Sequence, residues 1–465
     1  VSPRRTALRA SALATAFLVA VGTLAAPATS AQGSSDIGSS GTGSSGTGSS
    51  GTGSSNDPAA AFYEPPAVLP PNNGDLIRSE YFRLAVSLPS VRGIIGAGDT
   101  RDWPADGYRI MYRSVGSKGQ PIAVTGTYLK PAARWNGGGS RPLAVLAPGT
   151  MGQGDNCAPS KSFQTLATVK DNPPSAGIGY EYIQAYALVA RGYAVVVPDY
   201  EGLGTPGIHS YVHRESSGRA VLDAARAAAT IPAADTGPNP RTVFTGYSQG
   251  GAAVAAAAEM HPQYAPEVNL LGTAAGSPPA DLVATLDQID GTAIAGAIGY
   301  ALNSLADAYP EVQQRLDVHL NTAGQQMLRT VADQCLVDTV LQYGLRNTSE
   351  FTKTGRPAIE IVREDPIALH YTELQRIGLV RPTTPVRVLA VTNDDVVPGP
   401  QSLQLGRDWC ERGATVQMDV DETPPLLPGM ILNHVGPMIT QVNSTVQYLA
   451  DRIAGQPAPS NCGTY

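Results

Sequence analysis

The sequence predicts an α/β fold: a mainly parallel sheet with helices on both faces and a helical cap inserted late in the chain. Three observations carry this expectation. Short, wholly apolar runs such as Ala194 to Val197 have the length and content of strands buried on both faces. These runs alternate with helical patterns, the chain order of a parallel sheet covered by crossover helices. From Pro278 to Pro385 the alternation stops, and helical patterns such as Ile294 to Ala308 and Glu311 to Leu320 follow one another with no convincing strand.

In chain order, residues 1–31 stand outside the fold. Arg4, Arg5 and Arg9 precede an Ala-rich apolar run from Ala10 to Ala26, and Pro27 to Ala31 offers small residues for cleavage. This order reads as a secretory signal peptide rather than a membrane anchor, because the run is short and lacks a stop-transfer flank. The Arg pair allows general or twin-arginine export, and Val1 suggests a bacterial start codon read literally. Residues 32–57 are dominated by Gly, Ser and Thr, with GTGSS three times between Gly41 and Ser55. Such a segment buries too little apolar surface to offset its ordering entropy, so a disordered tether is expected.

The folded domain is expected over 58–465. A proline-rich stretch, Pro65 to Pro71, leads into a helix-like segment from Asp75 to Val86. Strands are expected at Ile122 to Leu129, Pro142 to Ala147, Ala194 to Val197, Thr242 to Gly246, Leu270 to Ala275, Val386 to Thr392 and Ala414 to Val420. An Ala-rich helix is expected from Ala252 to Met260. Residues 280–384 form the expected insertion, a lid over the end of the sheet where chemistry would sit.

Composition narrows the function. Charged residues make up only 15%, and 50 Gly and 38 Pro favour loops over long solvated helices. The formal charge is −7; without the three Arg of residues 1–31, which contain no acid, it is −10. An acidic protein has no electrostatic reason to seek nucleic acid, and no feature calls for a cofactor or an obligate protein partner. The four cysteines, Cys157, Cys335, Cys410 and Cys462, suggest two disulfides in an exported protein, with three pairings possible. None has zinc-type spacing, so no metal site is expected.

The chemistry centres on Gly246-Tyr247-Ser248-Gln249-Gly250, which follows an apolar strand and precedes a helix. That is the setting of a nucleophile elbow, and it specifies the α/β-hydrolase fold. The turn is so tight that the residues two places either side of the serine must be small. A serine hydroxyl is a weak nucleophile and needs a base, and the base needs an orienting acid. In this fold the acid and then the His follow the serine in the chain. Asp394 and Asp395, after the Val386 to Thr392 strand, are both candidates for the acid. His434, in the loop after the final strand, is the expected base. His209, His213, His261, His319 and His370 fit the order less well and read as packing or surface residues.

Two backbone N–H groups should hold the oxyanion. Gln249, directly after the nucleophile, should supply one. The loop Ala147-Pro148-Gly149-Thr150-Met151-Gly152 should supply the other, with Thr150 chosen because its hydroxyl can add a hydrogen bond and Met151 as the alternative. The segment Asp199 to Gly204 should support the same end of the sheet.

Together these motifs resemble the secretory lipase family that includes Candida antarctica lipase A, and more closely its actinobacterial members. The resemblance rests on APGTMGQGDNCAPS (147–160), VVVPDYEGLG (195–204), TGYSQGGAAV (245–254), NDDVVP (393–398) and LNHVG (432–436), about 290 residues in all. It implies carboxylic-ester hydrolysis, commonly of triacylglycerols, on an α/β-hydrolase core with a helical lid. The family's acid sits in a D-E-[IV]-V-P motif, which aligns Asp394 as the acid and Asp395 with the Glu. Its two disulfides imply Cys157 with Cys335 and Cys410 with Cys462. The GTGSS repeat is not part of the family pattern.

The expected function is therefore a secreted bacterial esterase or lipase acting on a lipid or ester substrate, in reach of a lipid–water interface. An acyltransferase working on lipid or cell-envelope acceptors would use the same acyl-enzyme. A non-catalytic binding module on a hydrolase scaffold is the third reading. The aromatic content, 6%, does not set the acyl-chain length.

Overall fold

Four strands with every residue buried form the middle of a nine-stranded sheet. The computed structural model describes residues 58–84, 105–165, 167–171, 174–232 and 234–465. The expected signal peptide and tether lie outside the described residues. The chain divides into two units, Val1–Phe62 and Tyr63–Tyr465. In the first, the described residues form a short helix, Pro58–Phe62.

The strands in chain order are β1 (Leu76–Phe82), β2 (Ala105–Val115), β3 (Pro121–Pro131), β4 (Leu143–Ala147), β5 (Ala167–Asp171), β6 (Pro174–Ile178), β7 (Ala194–Pro198), β8 (Thr242–Tyr247), β9 (Leu270–Gly276), β10 (Val386–Val391) and β11 (Val416–Asp421). The large sheet runs β1-β2-β3-β7-β4-β8-β9-β10-β11, and β5 and β6 pair separately. From β7 to β11 every pairing is parallel. From β1 to β7 the pairings are antiparallel.

Within the segment expected to be helical, Asp75 to Val86, Leu76–Phe82 is instead the edge strand β1, and residues 85 and 86 lie outside the described residues. The residues of β1 make cross-strand pairs with β2, a strand the sequence reading does not assign. Glu80 lies opposite Arg109 and pairs with it at 3.0 Å, and Tyr81 lies opposite Tyr108 with ring centroids 5.7 Å apart. Such pairs are the unit of sheet stability and outweigh a weak helical preference.

Alternation along the buried strands sorts the core into two layers. Val145, Val196 and Phe244 pack with the Ala-rich helices Arg214–Thr230 and Gln249–Tyr264. Leu146, Val195, Val197 and Val243 pack on the other face with helices Tyr182–Ala190 and Val442–Ile453. Small side chains let the Gln249–Tyr264 helix lie close to the sheet: Ala253 to Ala257 are all buried.

Between β9 and β10 the chain forms seven α-helices, from Leu282–Ile289 to Pro366–Glu373, and no strand. They have an apolar core of their own, including Ile298, Tyr300, Met327 and Phe351. That core continues into Val396 and Val397, in the loop after β10, so the inserted helices rest on loops at the C-terminal ends of the parallel strands. The bonds Cys157–Cys335 and Cys410–Cys462 are both present, the pairing the resemblance implies.

Candidate active site

The sheet places Ser248 between β8 and the helix Gln249–Tyr264. Its backbone has φ 57° and ψ −124°, a conformation that costs a non-glycine residue on the order of 1–3 kcal/mol. The surroundings impose it: Ser248 N–H donates to Gly276 O at 2.9 Å, and Ala252 N–H donates back to Ser248 O at 3.0 Å. A Cβ at Gly246 would collide with the Gly250 carbonyl oxygen, and one at Gly250 with that of Ala147. The glycines of the motif are thus required by backbone packing against β4. Ser248 is only partly buried, although its neighbours Tyr247 and Gln249 are buried.

His434 opens the way to base chemistry. It lies in the first turn of the helix Leu432–Thr440, 6% exposed, and its Nδ1 bonds both Asp394 carboxylate oxygens at 2.8 and 2.9 Å. Asp394 also accepts from Ser277 Oγ at 2.5 Å and from the N–H groups of Val396 and Val397 at 2.8 and 2.9 Å. Burial alone would raise this carboxyl; the charge of His434 and these hydrogen bonds outweigh it and hold Asp394 below the ordinary carboxylate range.

The two candidate acids separate cleanly. Asp394 reaches the imidazole ring, whereas Asp395 reaches the chain around it. Asp395 Oδ1 accepts from His434 N–H at 3.2 Å, and its Oδ2 from Asn433 Nδ2 at 3.3 Å. Burial and the neighbouring Asp394 raise the Asp395 carboxyl. The elbow joins this group through Tyr247, whose hydroxyl donates to His434 O at 2.8 Å and whose ring lies 5.0 Å from the imidazole. Ser248 Oγ itself forms no hydrogen bond with another described residue. An unliganded hydroxyl of this kind commonly tightens onto its base only when substrate binds.

The expected oxyanion residues lie beside the elbow. Thr150 is 4% exposed, its hydroxyl pairs with Tyr211 OH at 2.8 Å, and its carbonyl accepts from Tyr180 OH at 2.8 Å. Neither the Thr150 nor the Met151 N–H has a partner among the described residues, whereas Gly149 N–H donates to Glu181 Oε1 at 2.6 Å. The Gln249 side chain donates to Nε2 of His209 at 3.0 Å, and the His209 Nδ1–H donates to Glu201 O at 3.0 Å. Burial pushes His209 down to about 4, so it stays neutral in that tautomer. His209 is therefore a packing residue, as expected, but one packed on the residue after the nucleophile.

The remaining expectations also find places. Asp199, fully buried, accepts from Thr125 Oγ1 at 2.7 Å and from Ser160 N–H at 2.8 Å, a structural tie. His213 caps the helix Arg214–Thr230 through Ser216 N–H and bonds Tyr309 OH at 3.0 Å. His261 bonds Val268 O, and His319 bonds Asp365. Ser277, Glu181 and Tyr211 escape sequence reading, because each is a single polar residue in a loop or at a helix end with no motif around it. The one sequence signal is the cluster Gly179-Tyr180-Glu181-Tyr182, an acid among aromatic residues at the start of a helix.

Comparison with known proteins follows the same line. The chain matches the secretory lipase family over residues 170–461. It is 26% identical to secreted triacylglycerol lipase LIP5 of Malassezia globosa over 76% of this chain and 72% of that protein. It is 28% identical to a Mycobacterium tuberculosis protein named Probable inactive lipase MT1628, over 76% of this chain and 75% of that one. Among solved structures, Candida antarctica lipase A in its closed state aligns with TM-score 0.65 at 20% identity, over 84% of this chain and 85% of that one. The rice cell wall degrading esterase LipA of Xanthomonas oryzae aligns with TM-score 0.68 at 20% identity, over 82% of this chain and all of that one. The sheet order, the serine turn and these likenesses define an α/β-hydrolase, and the chain is a carboxylic ester hydrolase of that fold. It belongs to the secretory lipase family, and it is a secreted protein.

Proposed function

We propose that this hydrolase cleaves acylglycerol-type esters through a triad of Ser248, His434 and Asp394. The observation that carries the reading is the hydrogen bonding of His434 Nδ1 to Asp394 at 2.8 and 2.9 Å. With Nδ1 engaged as a donor, Nε2 is the unprotonated nitrogen and serves as base. It removes the proton from Ser248 Oγ as that oxygen attacks the ester carbonyl. Asp394 stabilises the imidazolium that forms. The N–H groups of Gln249 and Thr150 hold the oxyanion, the imidazolium protonates the departing alcohol, and water then releases the acid from the acyl-enzyme by the same path.

The helices of residues 280–384 act as the lid over this site, and their core against Val396 and Val397 supports that role. The acylglycerol substrate is supported by the names of the Malassezia relatives. A bacterial source is supported by the likeness to the Mycobacterium tuberculosis protein. The test is Ser248→Ala, assayed on nitrophenyl esters of increasing chain length with and without an oil–water interface. Hydrolysis should fall to background for every ester, and retention near the wild-type rate overturns the reading. One relative's name denotes an inactive lipase, which makes a second measurement direct: a fluorophosphonate probe should label Ser248 in this chain.

A further inference from the structure

The peptide that precedes the expected oxyanion donor is gripped at both ends. Its carbonyl, Pro148 O, accepts from Tyr200 OH at 2.9 Å. Its N–H, on Gly149, donates to Glu181 Oε1 at 2.6 Å. A peptide unit is planar, so holding its oxygen and its hydrogen fixes its rotation and hence the direction of the chain that follows. The next N–H is that of Thr150, and Thr150 O is itself held by Tyr180. Two of these three partners, Tyr200 and Tyr180, are neutral phenols. Glu181 alone is an acid, 3% exposed, at the start of the helix Tyr182–Ala190.

We propose that Glu181 is a positioning residue of the oxyanion loop: by accepting the Gly149 N–H it sets the peptide plane from which the Thr150 N–H is aimed at the developing oxyanion. The proposal rests on the serine mechanism above and deepens it. The charge of Glu181 also matters. Burial raises its carboxyl to about 7, against the lowering effect of the Gly149 N–H. The titratable groups facing it are Tyr180 and Tyr200, whose phenols are raised well above their ordinary value by burial first and by its charge second, so both stay neutral. Ionised Glu181 sets a negative charge one residue from the N–H that must stabilise another. The protonated acid keeps the same hydrogen bond without that opposition.

Two substitutions in the full chain separate these effects, read by pH-stat hydrolysis of a soluble short-chain ester. Glu181→Ala removes the acceptor and should lower kcat about tenfold or more, with KM within about twofold. Glu181→Gln keeps an oxygen acceptor and cannot ionise. It should match wild type near pH 6 and lack the decline in kcat expected of wild type as pH rises through about 7. A folded Glu181→Ala enzyme with unchanged kcat overturns the proposal. If that variant does not fold, a Glu181→Gln enzyme with the wild-type pH profile overturns it. Fluorophosphonate labelling of Ser248 in every variant keeps the two failures apart. Labelled enzymes indifferent to Glu181 sink the positioning role alone, while an unlabelled wild type with an active Ser248→Ala sinks the mechanism.

Discussion

Asp394 and Asp395 stand side by side in the chain and do different work, because only Asp394 meets the His434 ring. Asp394→Asn should therefore lower kcat by about 10⁴, the loss typical of a triad acid whose His takes the wrong tautomer. Asp395→Asn acts through backbone placement, and about tenfold is expected; steady-state kinetics on one ester compares the two. The pH dependence of stability has opposite signs at two carboxyls. Asp394 is depressed in the fold, so its stabilising contribution is present above the ordinary carboxylate range and is lost as pH falls through its lowered value. Glu181 is raised from 4.5 to about 7, so the fold loses stability as pH climbs across that window. Urea unfolding should find Glu181→Gln more stable than wild type at pH 8, by up to about 3 kcal/mol, and no more stable at pH 4. The proposed triad of Ser248, Asp394 and His434 stands out in sequence because the fold dictates the order of such residues along the chain. Ser277 and Glu181 do not, because their importance comes from contacts 117 and 32 residues away.

At the scale of elements, the elbow has the least tolerance. Gly250→Ala sets a methyl group against the Ala147 carbonyl, and backbone cannot yield as a side chain would. A loss of about 3 kcal/mol is expected, with Ser248 no longer labelled by a fluorophosphonate even in the fraction that folds; thermal unfolding and labelling measure both. The parallel strands β4, β7, β8, β9 and β10 are legible because burial on both faces, or nearly so, leaves a mostly apolar run, whereas the edge strand β11 shows alternation, with Val416 and Met418 buried between the partly buried Gln417 and Asp419. β1 is not legible. Ser79, Glu80 and Tyr81 are exposed, Phe82 is its one fully buried residue, and Leu76 packs only partly buried against the core. What makes it a strand is β2, and the alternation in Tyr108 to Tyr112 was the signal available for that neighbour.

At the scale of the molecule, the two disulfides stabilise different things. Cys157–Cys335 closes 178 residues and Cys410–Cys462 closes 52. Chain entropy assigns about 5 and about 4 kcal/mol to them, a model-dependent difference of only about 1 kcal/mol. Their effects on catalysis should diverge far more. Replacing Cys157 and Cys335 by Ser should lower both the unfolding temperature and kcat, while replacing Cys410 and Cys462 should lower the unfolding temperature alone. The reason is position: Gln153 N–H donates to Gln334 O, and Leu336 N–H to Met151 O, so the first bond rivets the oxyanion loop to the inserted helices.

That rivet also limits how the inserted helices can move. Any displacement of the proposed lid must keep the Cys335 Cα bonded close to that of Cys157, 5.3 Å away. The insertion cannot lift away as a free flap. It can only turn about a point fixed next to the catalytic loop, with its largest excursions at the parts farthest from Cys335. An opening of this kind would widen the approach to the serine while leaving the proposed oxyanion donors where they were.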